Sequence, residues 1–250
     1  MNYRMEIAYD GTRYNGWQKL GDSPDTIQEK IERVLSSLAG ESVDVHGAGR
    51  TDAGVHAAGQ VAQFRMPDHL DGTLSAPMIR AYLNRYLPDD IGILSVSKAA
   101  PRFHSRYHAK GKIYTYRMTR DLSRHVFDRR YITRLDPEVI LDTVSMRAAA
   151  AQLVGTHDFK SFCGNTHFKK STVRTIFSID LKEDGPDLTI TYYGEGFLQY
   201  MVRIMTGTLL EIGLGERDAD CIPSVLNAKN RRAAGKTAPP EGLTLTKVLY

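Results

Sequence analysis

The sequence predicts an α+β protein made of two ferredoxin-like βαββαβ halves, with mostly antiparallel sheets lying side by side and a central cleft where they join. Three observations lead there. Runs of alternating apolar residues, suited to half-buried strands, are interspersed with runs at helical spacing. The order of those runs in the first part of the chain, β-α-β-β-α-β, returns in the remainder. No low-complexity linker separates the two parts, and 250 residues suffice for one large domain or two small ones. The expected division is residues 1–105 and 106–250. The likeness lies in element order and not in a residue-level repeat.

Tyr3 to Tyr9 alternates and is closed by the turn pair Asp10-Gly11, which predicts the first strand. Asp25 or Thr26 can cap a helix carrying Ile27, Ile31, Val34, Leu35 and Leu38 and stopped by Gly40. Ser42–Gly47 and Gln60–Met66 read as strands, Ser75–Leu87 as a helix and Ile91–Ser97 as a strand. In the second part Lys112–Thr119 reads as a strand, followed by a helix over Asp136–Leu153 with Pro137 in its first turn. Thr172–Leu181 and Leu188–Tyr193 form a hairpin turned at Asp184-Gly185-Pro186. A helix over Gln199–Ile212 ends at Gly213, a short helix covers Asp220–Ala228, and Leu245–Tyr250 can supply a last strand.

Apolar residues are 42% and charged residues 25%, ordinary for a globular protein. The two cysteines, Cys163 and Cys221, form no C-x-x-C pair or disulfide framework and fit free thiols in a reducing compartment. The opening MNYRMEIAYDG has no apolar signal region, and no apolar stretch reaches the roughly 20 residues a bilayer span needs, so a cytoplasmic location away from membranes is expected. The net charge is a modest +4, but the basic residues cluster. The run RFHSRYHAKGK, Arg102 to Lys112, holds four Lys or Arg and no acid, and it falls at the join of the two halves. Further clusters lie at Arg124–Arg134, Lys169–Arg174 and Lys229–Lys236.

The stretch GAGRTDAGVHA, Gly47 to Ala57, sets the carboxylate of Asp52 among small residues, with Arg50 two positions earlier. Gly47, Gly49 and Gly54 let another molecule approach the backbone closely. Three readings meet here. A plain turn uses the same residues. A metal site could draw on His46, Asp52 and His56, without a recognisable ligand set. A phosphate loop would want a G-x-x-x-x-G-K-[ST] or G-x-G-x-x-G pattern, and neither is present. His104 and His108 are four apart but lack a third ligand.

The stretch Gly49 to Ala57 resembles the signature of the tRNA pseudouridine synthase A family. The resemblance extends through Tyr9 to Gln18, Thr26 to Glu29, Phe103 to Tyr116, Gly155 to Phe162, and Gly196 to Gly207, in order along nearly the whole chain. The stretch Gly21-Asp22-Ser23-Pro24 is where loop length is left open. The family's reaction breaks the bond from ribose C1′ to uracil N1 and rejoins ribose to C5. The resemblance implies that Asp52 is the nucleophile, attacking either uracil C6 or ribose C1′. It implies that Arg203 offsets the cost of a charged Asp52 in a partly dry pocket. Leu198, Met201, Val202, Ile204, Met205, Leu209 and Leu210 make the Arg203 helix apolar on most sides, and an arginine in such company is usually paired. Tyr114 is matched to the residue that stacks on the target uracil, leaving Tyr116 for the core.

The implied substrate is the tRNA anticodon stem-loop, at uridines 38 to 40. A paired uridine must be flipped out at a cost of a few kcal/mol. Arg50 is the candidate to fill the gap, and Arg102, Arg106, Lys110 and Lys112 the candidates to meet the backbone. The isomerisation is redox-neutral and calls for no cofactor and no metal. The resemblance further implies a homodimer in which two copies pool their basic surfaces. The rivals are a non-catalytic RNA-binding protein of ferredoxin-like fold, which has no use for Asp52, and a nucleoside hydrolase. The latter wants a second carboxylate near the first; none is evident in the sequence, which leaves Asp10, Glu29 and Glu195 open.

Overall fold

The computed structural model describes residues 1–21, 23–70, 72–167 and 169–250; Asp22, in the Gly21–Pro24 stretch, Asp71 and Phe168 lie outside the described residues. The chain runs β1 (Asn2–Tyr9), α1 (Ile27–Ala39), β2 (Val45–Gly47), β3 (His56–Arg65), α2 (Ala76–Tyr86) and β4 (Ile91–Lys98). It continues with β5 (Gly111–Thr119), β6 (Thr133–Arg134), α3 (Thr143–Leu153), β7 (Gly155–Asp158), β8 (Val173–Asp184) and β9 (Asp187–Gly194). It closes with α4 (Met201–Gly213), α5 (Ile222–Ala228) and β10 (Leu243–Leu249). The protein is mixed α+β and its strands pair mostly antiparallel. It divides into two compact units, Met1–Lys110 with Leu245–Tyr250, and Gly111–Thr244.

In the first unit the strands lie in the order β4-β1-β3-β10, with β2 also paired to β3. The period-2 pattern of β1 puts Tyr3, Met5, Ile7 and Tyr9 into the core, and Met5 faces Ala62 on one side and Val96 on the other. Helix α1 starts at Thr26, whose hydroxyl accepts from the Glu29 N–H at 3.3 Å, and buries Ile27, Ile31, Val34 and Leu35. It ends at Gly40, whose φ of 74° is the left-handed cap that glycine adopts without strain. Helix α2 is capped by Ser75, buries Ile79 and Leu83, and packs on β4.

In the second unit the order is β5-β9-β8-β7, with β6 parallel to β5. Helix α4 buries Met201, Val202, Ile204, Met205, Leu209 and Ile212, and its C-terminal Gly213 meets Met146 of α3. Helix α3 begins seven residues later than Asp136, the start its sequence suggests. Asp136 instead accepts from the Glu138 N–H at 3.0 Å, and Ile140 is 86% exposed, so this stretch has no buried face to hold it helical. Asp142 is the true cap, accepting from Ser145 N–H at 3.0 Å. The short strands β6 and β7 carry no long alternating run and were not legible from periodicity.

Candidate active site

The loop that follows β2 is pinned from several sides within the first unit. The Ala48 N–H donates to Val61 O at 2.7 Å, and Gln60 Nε2 donates to Gly49 O at 3.0 Å. Thr51 is held twice. Its carbonyl accepts from the Trp17 N–H at 3.1 Å, and its hydroxyl meets that of Tyr9 at 2.8 Å, both side chains buried. Burial pushes the Tyr9 hydroxyl well above the usual tyrosine pKa, so it stays protonated and keeps the hydrogen bond. After Asp52 the chain turns back: the Val55 N–H donates to Asp52 O at 3.2 Å and the Gly54 N–H to Tyr14 O at 3.3 Å. His56 then leads into β3, its Nδ1 accepting from the Gly11 N–H at 2.9 Å.

The segment from Tyr9 to Trp17 thus forms a cradle for residues 51–56. Gly16 is required in it for two reasons. Its φ is 92°, and a Cβ there would lie 2.6 Å from the Thr51 carbonyl oxygen. The cradle is itself anchored at Asp90. That carboxylate accepts from the Tyr14 hydroxyl and from Arg13 Nη2, each at 2.5 Å, and from Arg13 Nε at 2.9 Å. Asp52 is half-buried between buried Thr51 and exposed Ala53, and Arg50 is exposed. Asp90 carries no motif of its own in the sequence, whereas Tyr9 opens the family-like stretch Tyr9 to Gln18, in which nothing local points to Thr51.

In the second unit, β5 presents Tyr114 opposite Tyr192 of β9. Its ring, 7% exposed, stands edge-on to Phe197 at 5.1 Å and 83°. Tyr116, two residues on, is fully buried, and its hydroxyl is engaged by Thr133 Oγ1 at 2.7 Å and Pro239 O at 2.9 Å. Arg203 lies in the first turn of α4, half-buried. A cation there gains nothing from the helix dipole, which favours anions at that end. One long-range and one local contact hold the side chain: Nε donates to Ala238 O at 2.7 Å, and the guanidinium lies 5.2 Å from the ring of Tyr200, the residue that precedes the helix. The Ala238 N–H in turn donates to Arg203 O at 3.0 Å, so the two segments are tied by both backbone and side chain.

The structure places Arg50, Asp52, Arg102, Arg106 and Lys110 in the first unit and Lys112, Tyr114 and Arg203 in the second. Arg102, Arg106 and Lys110 are exposed, and Lys112, at the start of β5, is half-buried. His104 and His108 are built into one turn, Arg106 N–H donating to His104 Nδ1 at 3.1 Å and His104 N–H to His108 Nδ1 at 3.2 Å. Among the described residues no three His, Cys, Asp or Glu side chains are grouped to hold a metal ion, and no helix is long and apolar enough to cross a membrane.

A model of a family described as tRNA pseudouridine synthase matches residues 5–108 and 149–250. A protein of Bacillus cereus named tRNA pseudouridine synthase A 2 is 42% identical over 249 residues, covering 100% of this chain and 99% of its own. Two proteins named tRNA pseudouridine synthase A are similar over comparable spans. That of Acetivibrio thermocellus is 42% identical over 249 residues, 100% of this chain and 99% of its own. That of Geotalea uraniireducens is 41% identical over 250 residues, 99% of this chain and 98% of its own.

Proposed function

The chain belongs to the tRNA pseudouridine synthase family, and from that premise we propose that Asp52, Arg203 and Tyr114 carry the isomerisation of a tRNA uridine. The observation that supports this reading best is the double fixing of Thr51, the residue before Asp52, by Tyr9 and Trp17. An ordinary surface turn has no need of a buried, doubly bonded neighbour. A nucleophile does, because misplacement by about 1 Å can cost about a hundredfold in rate.

The carboxylate of Asp52 attacks the nucleotide at uracil C6 or ribose C1′. The C1′–N1 bond breaks, the uracil turns, C1′ bonds to C5, and the bond from Asp52 to the nucleotide breaks again, which regenerates the carboxylate. The proton on C5 leaves and N1 gains one, so no electrons are exchanged and no cofactor is consumed. Arg203 keeps Asp52 ionised when substrate displaces water. Tyr114, edge-on to Phe197, lends its ring to the uracil and helps remove the C5 proton.

The reading extends to substrate and assembly. The target is a uridine at positions 38 to 40 of the anticodon stem-loop, flipped from its stack while Arg50 fills the gap. Arg102, Arg106, Lys110 and Lys112 neutralise phosphates. The order β4-β1-β3-β2 of the first unit, with α1 after β1 and α2 after β3, suits a ferredoxin-like half, and a second is assigned to β5, β8, β9 and their helices. Two copies act together as a homodimer in the cytoplasm.

The test incubates the protein with an unmodified tRNA transcript and maps pseudouridine by chemical probing. Wild-type protein should convert uridines at 38 to 40. Asp52→Asn should leave them unconverted while still binding the transcript; full conversion by that variant would end the nucleophile assignment.

A further inference from the structure

Tyr107 is a large aromatic left 76% exposed in the middle of the basic run from Arg102 to Lys112. Exposure of this kind contributes little to stability, yet the turn that carries it is firmly held. Ser105, fully buried, is its anchor. The Ser105 N–H donates to Gln63 Oε1 at 2.5 Å, its hydroxyl to His46 O at 2.6 Å, and its carbonyl accepts from the Tyr250 hydroxyl at 2.6 Å. The imidazoles of His104 and His108 close the turn by accepting backbone N–H groups at Nδ1. The His104 ring then backs Tyr107 at 4.2 Å and is itself stacked near His46 at 6.1 Å and 21°. A rigid support thus holds one aromatic ring out to solvent, with exposed Arg102, Arg106 and Lys110 around it in sequence.

An aromatic face and a cationic surround answer to one chemistry. A nucleobase has a π-face to stack, and its flanking phosphates are anions; stacking of this kind needs a base free of its duplex. We propose that Tyr107 is a stacking platform for an unpaired nucleobase of the RNA substrate other than the reacting uridine. This rests on the tRNA-modifying reading above and adds a single-strand contact to it. Double-stranded RNA offers phosphates but no free base face, so the platform distinguishes loops from stems where the arginines do not.

The test measures binding of the full chain to a labelled oligouridylate and to a blunt RNA duplex of equal length by fluorescence anisotropy. Tyr107→Ala should weaken oligouridylate binding by about tenfold and leave duplex binding within about twofold. Tyr107→Phe, which keeps the ring, should bind the oligouridylate within about twofold of wild type. Arg106→Ala should weaken both probes and flatten their salt dependence. The proposal is overturned if Tyr107→Ala binds the oligouridylate as wild type does or loses both probes equally. It is equally overturned if the substitution changes only the self-association of the chain in sedimentation. Absence of pseudouridine in the transcript assay would sink the catalytic reading instead, and would leave these binding ratios to be judged alone.

Discussion

The hydroxyls of Tyr9 and Thr51 meet at 2.8 Å inside the first unit, one residue before the candidate nucleophile. Tyr9→Phe keeps the ring and removes that contact, leaving a buried Thr51 hydroxyl short of a partner. The cost should be about 1–3 kcal/mol in urea unfolding. If the bond positions Asp52, kcat should fall severalfold while KM hardly moves. Stability lost with kcat unchanged would make Tyr9 a core residue and nothing more.

Two glycines separate strain from position. Gly16 and Gly40 both have positive φ, 92° and 74°, so alanine at either should cost about 1 kcal/mol or more. Around Gly40 a Cβ meets nothing within 4 Å, whereas at Gly16 it presses on the Thr51 carbonyl. Gly40→Ala should therefore retain turnover, and Gly16→Ala should lose most of it. Equal turnover in the two variants would detach the cradle from catalysis.

Arg50 is exposed at the edge of the same loop. Arg50→Ala should slow conversion of a uridine in a paired stem more than one in an unstructured oligonucleotide, because only the former has a stack to fill. Single-turnover rates on the two substrates check this, and equal slowing would argue against a role in flipping.

Asp187 supplies a pH test of the second unit. Burial alone would raise its pKa. The Thr119 hydroxyl, donating at 2.6 Å, and His125, with Nε2 at 3.0 Å, outweigh burial and hold the carboxyl below the usual range. A carboxylate with a depressed folded pKa adds stability above its unfolded pKa, about 3.9, and loses it as pH falls through the folded value. Asp187→Asn should lower Tm at pH 7 by about 2–4 °C. The gap from wild type should narrow below about pH 4; a gap of the same size at pH 3 refutes the linkage.

Local pattern carried much of this protein. The alternation of Tyr3 to Tyr9, the caps Thr26 and Gly40, and the apolar face of Ile27, Ile31, Val34 and Leu35 are nearest-neighbour features, and β1 and α1 form where they indicate. The signature around Asp52 and the basic run from Arg102 were likewise legible, since they are contiguous in the chain. The start of helix α3 is not legible in the sequence because Asp136 and Asp142 are equally good caps by residue type. Only the lack of a buried face before Thr143 chooses between them.

What tertiary structure decided is which distant groups support the candidate residues. Tyr9 against Thr51, Asp90 beneath Tyr14, Ala238 on Arg203 and Phe197 on Tyr114 are contacts across 35 to 83 positions, and no local periodicity encodes them. The physical reason is range. Caps and periodicity act within a helical turn or a strand pair, whereas a hydroxyl finds its partner only after the chain has collapsed and buried polar groups must be satisfied by whatever lies beside them.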